Sequence, residues 1–386
     1  MAEDSQNTVK GDDFVTDPTF PLIATSCVIT EPGHLELREF TIPASDPETG
    51  VLAVEATGVC GADVEMFRGD GPKNFPPVAL GHEMLGRIAD IGERAAQRWG
   101  VSVGDRVVVN EVIPCGNCQF CTSGRAEMCN GFFGSQGSRY GFIPVTTEPG
   151  AWGGFGTHMK LHRNTNLRRI SDDVPTAIAS MFMPVANGMH WLFELARLRP
   201  GASVLIVGPG PQGLAVTAVG HAAAGLRTIV AGRSADAHRL GLATRVGATR
   251  VVDTETEDVV AAVEEETRGT GVDAVVITTS GADSVLAVAT RCVRIGGTIV
   301  LAGTNGWKTE QKFKGDALVF RNITLQGAPG HSVGSVEGAV RLLERSHPTF
   351  APLVGEEYSL DEVSEALSAP FAATCGVHRS VRPNRL

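Results

Sequence analysis

The chain has 386 residues, which fits two domains of ordinary size, and its hydrophobic fraction of 42% can fill a sizeable core. A formal net charge of −10 disfavours broad attraction to nucleic-acid phosphates or anionic membranes. No apolar run reaches the roughly 18 residues that a membrane-spanning helix needs.

The first twenty residues, 1–20, are acidic and polar, without the basic start and apolar centre of a signal peptide. We therefore predict a loose N-terminal tail and, by default, a cytoplasmic location. In a reducing cytoplasm the 8 cysteines are expected to remain thiols or to bind metal.

Short strands separated by glycine and proline dominate residues 21–185. Two fragments there, GVCGADVEMF and LGHEMLG, contain Cys60 and the pair His82 and Glu83. A thiolate, an imidazole and a carboxylate suit a zinc ion that keeps one open position. Either fragment alone fits ordinary packing, so this interpretation depends on the rest of the chain.

A cysteine cluster with the spacing C-x2-C-x2-C-x7-C occupies residues 115–129. Such short gaps let four thiolates converge on one tetrahedral ion, which suits zinc. Four protein ligands leave no position for water or substrate, so we predict a structural site. A DNA-reading finger is disfavoured because no basic helix follows and the chain is acidic. The predicted ligands are Cys115, Cys118, Cys121 and Cys129.

Strands alternate with helical stretches over residues 186–330, which predicts an α/β fold with a doubly wound parallel sheet. The predicted strands are 203–207, 227–231, 250–253, 273–278 and 298–302. The predicted helices are 211–224, 236–245, 257–266 and 283–293. A further helix and a short mixed segment follow in residues 331–386.

The sequence GPGPQG stands between the strand at 203–207 and the helix at 211–224. In this context Gly208 permits a tight turn, Gly210 lets a pyrophosphate approach the backbone, and Gly213 lets the helix pack on the strand. We therefore predict a dinucleotide site that also includes Pro211 and Gln212.

The end of the second parallel strand usually carries an acidic residue that binds the ribose 2′-hydroxyl of NAD. Gly232 occupies that position here, followed by Arg233 and Ser234. A missing carboxylate beside a guanidinium favours a 2′-phosphate, so NADP is favoured over NAD. Asp236 is an alternative, as a displaced acid after a longer turn.

In this order, Cys60, Gly81-His82-Glu83, the cysteine cluster and GPGPQG resemble the zinc-dependent alcohol dehydrogenases of the medium-chain dehydrogenase/reductase superfamily. The resemblance runs from about residue 24 to the C-terminus. It implies a GroES-like, mostly-β catalytic domain at 21–185, a Rossmann domain at 186–330, and a return of 331–386 to the catalytic domain. It also implies an active site in the cleft and a homodimer or homotetramer.

The resemblance also implies roles for the residues near Cys60. Cys60 and His82 match two ligands of a catalytic zinc, and Glu83 matches the neighbouring acid that supports the site or acts as an alternative ligand. Asp63 matches the aspartate that orients the histidine. The clustered cysteines match the ligands of the structural zinc.

Two positions depart from the family pattern. Ala62 stands where a proton-relaying Ser or Thr is usual, and Glu65 could carry protons instead. Met183 stands where the third zinc ligand is expected, and a thioether is a poor zinc ligand. Glu83, water or Asn187 could complete the zinc sphere, or the catalytic zinc could be weak or absent.

The function that the resemblance implies is an NAD(P)-linked oxidoreductase that interconverts an alcohol and its ketone or aldehyde. An apolar pocket formed by Phe67, Phe75 and Trp307 would favour a secondary, bulky or cyclic alcohol. The expected partner is a small molecule, not nucleic acid or a membrane. A zinc-independent carbonyl or enone reductase that uses NADP and a non-catalytic dinucleotide-binding protein remain alternatives.

Overall fold

The computed structural model of the protein describes residues 19–70, 75–129, 139–279, 285–303, 310, 312–369 and 375–384. The predicted N-terminal tail, apart from its last two residues, and Trp307 lie outside these ranges. Within the described ranges, no helix has the length and apolar character needed to cross a membrane.

The N-terminal part of the chain is mostly β, as its short apolar stretches predict. Its strands are β1 (Leu22–Glu31), β2 (His34–Ile42), β3 (Gly50–Gly58), β4 (Val78–Ala79), β5 (Glu83–Ile91), β6 (Arg106–Val109), β7 (His158–Leu161) and β8 (Leu167–Arg169). Its helices are α1 (Gly61–Arg68), α2 (Glu93–Trp99), α3 (Gln119–Thr122), α4 (Thr176–Ala179) and α5 (Phe182–Met189), with a 3-10 turn at Ala126–Met128 and a π-helical turn at His190–Leu195.

The middle of the chain is an α/β unit. Its strands are β9 (Ser203–Val207), β10 (Arg227–Gly232), β11 (Arg250–Asp253), β12 (Val272–Ile277), β13 (Val293–Leu301) and β14 (Thr324–Gly327). Its helices are α6 (Pro211–Ala224), α7 (Ala237–Arg245), α8 (Val259–Thr267), α9 (Val285–Cys292) and α10 (Asp316–Phe320), with a 3-10 turn at Ser234–Asp236. The strands pair in parallel in the order β11-β10-β9-β12-β13-β14, which confirms the predicted doubly wound sheet.

The C-terminal part contains α11 (Val333–Ser346), a 3-10 segment (His347–Leu353), β15 (Val354–Tyr358), α12 (Val363–Ser368) and β16 (His378–Val381). Strands β15 and β16 join the N-terminal strands in one sheet of order β15-β16-β3-β5-β6-β8. The C-terminal segment thus returns to the N-terminal β structure. Helix α5 of the N-terminal part packs against α6 of the middle part and α11 of the C-terminal part, so it lies where the three parts meet.

Candidate active site

Antiparallel pairing of β3 and β5 brings the two metal-type fragments together. Gly58, the last residue of β3, pairs with Glu83, the first residue of β5. Cys60 follows the end of β3 and His82 precedes the start of β5, so both lie at the same end of this antiparallel strand pair. A Cβ atom on Gly58 would lie 2.1 Å from Oε2 of Glu83, so the glycine leaves room for the Glu83 carboxylate in its present position.

Cys60, His82 and Glu83 form a compact group of metal-ligand atoms, which lie within 4.8 Å of one another. His82 and Glu83 are buried, and Cys60 is half-buried. Nδ1 of His82 lies 3.3 Å from Oδ1 of the fully buried Asp63, which leaves Nε2 for a metal. The second oxygen of Asp63 accepts a 3.0 Å hydrogen bond from the backbone N–H of Cys60. Asp63 therefore holds two of the three donor residues.

The electrostatics of this group suit a bound cation. Burial raises the pKa of the Cys60 thiol, and burial raises the pKa of Glu83 to about 7. Burial opposes the charge on His82, but Asp63 and Cys60 together raise its pKa well above the usual value. A buried thiolate and carboxylate are costly unless a positive charge offsets them. The donor set therefore fits a divalent ion such as zinc.

The residues that concern the two departures from the family pattern differ in their surroundings. Glu65 is exposed on α1, so its role in proton transfer stays a prediction. Met183 is buried in α5. The side-chain amide of Asn187 donates to Gln212 over 2.9 Å, and its oxygen lies 3.2 Å from Nδ1 of His331. Asn187 is therefore already engaged at both ends of its amide and is a poor candidate for a metal ligand.

Glu111 and Arg139 are neighbours of the site that sequence reasoning missed. Glu111 follows β6 and is buried, and Nη1 of Arg139 donates to its Oε1 over 2.5 Å. Burial opposes ionisation of Glu111, but Arg139, His82 and His331 together lower its pKa below the ordinary value. No short sequence motif predicts this ion pair, because the two residues lie 28 positions apart in the chain.

The four cysteines of the predicted structural site converge. Their Sγ atoms lie within 4.8 Å of one another, with 3.9 Å between Cys115 and Cys121 and 3.8 Å between Cys118 and Cys129. Sulfurs bound tetrahedrally to zinc at about 2.3 Å lie about 3.8 Å apart. Backbone N–H groups of Cys115, Cys118 and Cys121 donate to neighbouring sulfurs at 3.3, 3.4 and 3.5 Å. The spacing and these donors fit a zinc tetrathiolate.

The glycine-rich turn between β9 and α6 has the predicted geometry. Gly208 has a φ of +106°, which favours glycine, and a Cβ on Gly213 would lie 2.0 Å from the carbonyl oxygen of Gly208. Around Gly210 a Cβ would meet nothing within 4 Å, so a ligand can approach the backbone there. The turn lines a cavity of about 640 Å³, and α6 begins at Pro211 with Gln212 next. This arrangement fits a dinucleotide pyrophosphate.

The end of β10 lines the same cavity. A Cβ on Gly232 would lie 2.7 Å from Cγ of Pro209, so the proline of the turn occupies the space of an acidic side chain. Nε of Arg233 and Nη1 of Arg239 lie 3.7 and 3.1 Å from the carboxylate of Asp236. The Ser234 hydroxyl donates to Asp253 over 2.6 Å.

Asp236 therefore orients two guanidinium groups at the rim of this cavity. That geometry argues against the alternative in which its carboxylate binds the ribose. Arg239 was not singled out from the sequence, although its position three residues after Asp236 is the signal that could have found it.

Similarity to known proteins agrees with this geometry. Residues 46–171 match the model of the alcohol dehydrogenase GroES-like domain, and residues 211–345 match that of zinc-binding dehydrogenases. A protein of Mycobacterium tuberculosis H37Rv named a probable alcohol dehydrogenase is 35% identical over 92% of this chain and 96% of its own. The erythritol/L-threitol dehydrogenase of Mycolicibacterium smegmatis is 31% identical over 63% of this chain and 66% of its own.

A solved structure gives the same result at the level of the fold. A zinc-binding dehydrogenase from Sinorhizobium meliloti 1021, crystallised with NADP, superposes with a TM-score of 0.80 at 26% identity, covering 94% of this chain and 100% of the other. These similarities confirm the predicted GroES-like and Rossmann architecture. The chain belongs to the zinc-type, alcohol dehydrogenase-like branch of the medium-chain dehydrogenase/reductase superfamily and is an NAD(P)-dependent oxidoreductase.

Proposed function

We propose that the protein oxidises a secondary alcohol to a ketone, or catalyses the reverse reaction, with a zinc ion held by Cys60, His82 and Glu83. The observation that carries this proposal is the convergence of these three donors within 4.8 Å. A zinc ion held by these residues would supply Lewis-acid chemistry that lowers the pKa of an alcohol substrate. Asp63 keeps His82 in the tautomer that presents Nε2 to the metal.

NADP is the proposed hydride acceptor. Arg233 and Arg239 lie beside the cavity, and Asp236 holds both guanidinium groups near the end of β10. Two guanidinium groups with no carboxylate at position 232 match a 2′-phosphate better than a free 2′-hydroxyl. Replacing Arg233 with alanine should raise KM for NADP by at least about tenfold and leave KM for NAD little changed. An equal effect on both cofactors would contradict this assignment.

The proposed substrates are not restricted to the bulky or cyclic alcohols that an apolar pocket would favour. Phe67 and Phe75 pack against the buried cluster that contains Met66, Val78 and Leu80, so packing accounts for both rings. The name of the M. smegmatis relative supports including polyhydroxy alcohols among the substrates to be tested.

The zinc content of the purified protein tests the proposed mechanism. We expect two zinc ions per chain in the wild type and one in Cys60→Ser, with loss of alcohol oxidation. Cys375→Ser is the matched control, since Cys375 belongs to neither converging cluster, and it should retain both ions. One zinc in both wild type and Cys60→Ser would instead favour the zinc-independent reductase, whose activity a mild chelator would spare. Cofactor binding without turnover of any alcohol or carbonyl compound would favour the non-catalytic alternative.

We also propose a homodimer formed through the edge of the parallel sheet. Strand β14 ends that sheet, and the adjacent helix α10 exposes Val319 and Phe320 at 77% and 85%. Exposed apolar side chains beside an edge strand are a liability in a monomer and suit a second copy that continues the sheet. Phe320→Glu should convert the dimer to a monomer in analytical ultracentrifugation, whereas an unchanged sedimentation coefficient would exclude this edge.

A further inference from the structure

A chain of side-chain hydrogen bonds runs from the dinucleotide-binding turn to His331. Nε2 of Gln212 donates to the carbonyl oxygen of Pro184 over 3.0 Å. Nδ2 of Asn187 donates to Oε1 of Gln212 over 2.9 Å, and Oδ1 of Asn187 lies 3.2 Å from Nδ1 of His331. The chain begins at a backbone carbonyl, which can only accept a hydrogen bond.

That starting point sets the direction of every bond in the chain. Gln212 must present its NH2 group to Pro184, so its oxygen faces Asn187. Asn187 must then present its own NH2 group to Gln212, so its oxygen faces His331. An amide oxygen cannot donate, and therefore Nδ1 of His331 carries the proton. In a neutral imidazole this leaves Nε2 as an acceptor with a free lone pair.

His331 is held in this orientation by its neighbours in the chain. The indole N–H of Trp191 donates to the carbonyl of Gly330 over 2.8 Å, and the hydroxyl of Ser332 donates to Glu194 over 2.9 Å. The imidazole is 3% exposed, and burial lowers its pKa to about 4, so the ring is neutral at physiological pH.

Nε2 of His331 is buried and has no hydrogen-bond partner among the residues that the structure describes. The charged groups acting on the ring include Glu111, Arg139 and His82, so the imidazole lies near the proposed metal group. Glu111 cannot donate to Nε2, because it is ionised and accepts from Arg139. A buried acceptor without a donor is unfavourable, and a ligand that supplies the donor removes that cost.

We propose that His331 is a specificity-determining residue whose Nε2 accepts a hydrogen bond from a second hydroxyl group of the substrate, beside the hydroxyl that is oxidised. The location supports this role. His331 is joined through Asn187 to Gln212 of the dinucleotide turn. The charges of His82 and Glu111 act on its imidazole, so His331 lies near both the cofactor turn and the proposed metal group. This inference rests on the proposed function and names its substrate class, which is 1,2-diols and longer polyols.

The kinetic test uses 2,3-butanediol and 2-butanol, which share a carbon skeleton and differ by one hydroxyl. The wild type should prefer the diol by at least about tenfold in kcat/KM. His331→Asn retains a donor near the Nδ1 position but loses the acceptor, and the diol preference should fall about tenfold. His331→Gln places an amide oxygen near the Nε2 position and should recover part of it. An unchanged preference in His331→Asn, with KM for the cofactor raised instead, would overturn the proposal, because the nicotinamide carboxamide would then be the donor.

Two measurements test the proposal without turnover. Long-range ¹H–¹⁵N spectra of histidine-labelled protein, with His331 assigned from the His331→Asn variant, should show a proton on Nδ1 and none on Nε2. The opposite tautomer would overturn the proposal. Calorimetry with the cofactor present should show at least about tenfold weaker binding of 2,3-butanediol to His331→Asn than to the wild type. If the wild type oxidises no alcohol, the proposed function fails, while the tautomer and the binding difference still decide the role of His331.

Discussion

The guanidinium of Arg139 donates a 2.5 Å hydrogen bond to the carboxylate of Glu111, and its second Nη donates over 2.9 Å to the backbone carbonyl of Glu127. Glu127 belongs to the 3-10 turn that ends at Met128, one residue before the zinc-type ligand Cys129. Arg139 therefore connects the four-cysteine lobe with a carboxylate near His82. A lobe remote in sequence from Cys60 can in this way influence the candidate active site.

Disruption of the lobe should therefore affect both stability and activity. Cys118→Ser removes one of the four thiolates, and we expect the loss of one zinc per chain and a melting temperature lower by at least about 5 °C. Displacement of Arg139 should also reduce kcat/KM. Elemental analysis, thermal unfolding and kinetics measure the three effects. If Cys118→Ser keeps two zinc ions and its melting temperature, the tetrathiolate assignment is wrong.

Replacing the buried partner of His82 should weaken metal binding. Asp63→Asn keeps the shape of the side chain but removes the charge that faces Nδ1 of His82, and we expect about 10- to 100-fold weaker zinc binding at the catalytic site. Competition with a chelator of known affinity measures the change. Glu65→Gln, an exposed substitution on the same helix, is the matched control for metal binding. Equal zinc affinity in Asp63→Asn and the wild type would contradict the role of Asp63.

A simple change of cofactor preference at Gly232 should fail for steric reasons. Gly232→Asp introduces the acid that NAD-binding relatives of this fold use, but its Cβ would meet Cγ of Pro209 at 2.7 Å. We expect the single variant to lose activity with both cofactors. Adding Pro209→Ala should restore turnover with NAD in the double variant. Improved NAD turnover in Gly232→Asp alone would show that Pro209 can move aside. The steric clash would then not explain the glycine at position 232.

The free energy of unfolding should decrease at acidic pH, partly because His378 binds a proton more readily in the unfolded chain than in the folded one. This residue is buried, with Nε2 3.0 Å from the hydroxyl of Ser180, and burial lowers its pKa to about 4. The unfolded chain, with a pKa near 6.5, binds a proton that the folded chain excludes. The contribution of His378 is therefore fully present above about pH 6.5 and is lost as the pH falls towards about 4, at about 1.4 kcal/mol per pH unit.

Denaturant unfolding at pH 7 and pH 5 measures this effect. Between the two pH values, His378→Gln should lose less free energy of unfolding than the wild type. The slopes should differ by up to about 1.4 kcal/mol per pH unit, which corresponds to one proton. His34→Gln, at an exposed histidine in β2, is the matched control and should follow the wild type. Identical pH dependence in His378→Gln and the wild type would contradict the assignment.

Features that depend on local backbone conformation were predictable from the sequence. Strand β9 and helix α6 match the predicted ranges residue for residue. An apolar run followed by GPGPQG is compatible with few backbone conformations other than a strand, a tight turn and a helix. Strand β13 is longer than predicted and begins at Val293, since pairing with β12 extends it beyond its apolar core. The convergence of the clustered cysteines also follows from their spacing alone.

The tertiary structure alone decided which distant groups meet. Glu83 lies within ligand distance because β3 and β5 pair in a particular register, and Gly58 leaves room for its carboxylate. The contact between Arg139 and Glu111 and the chain from Gln212 to His331 join separate segments of the fold. Local sequence determines backbone conformation through nearest-neighbour sterics and hydrogen bonding, whereas the partner of a buried polar group is chosen by packing between segments far apart in the chain.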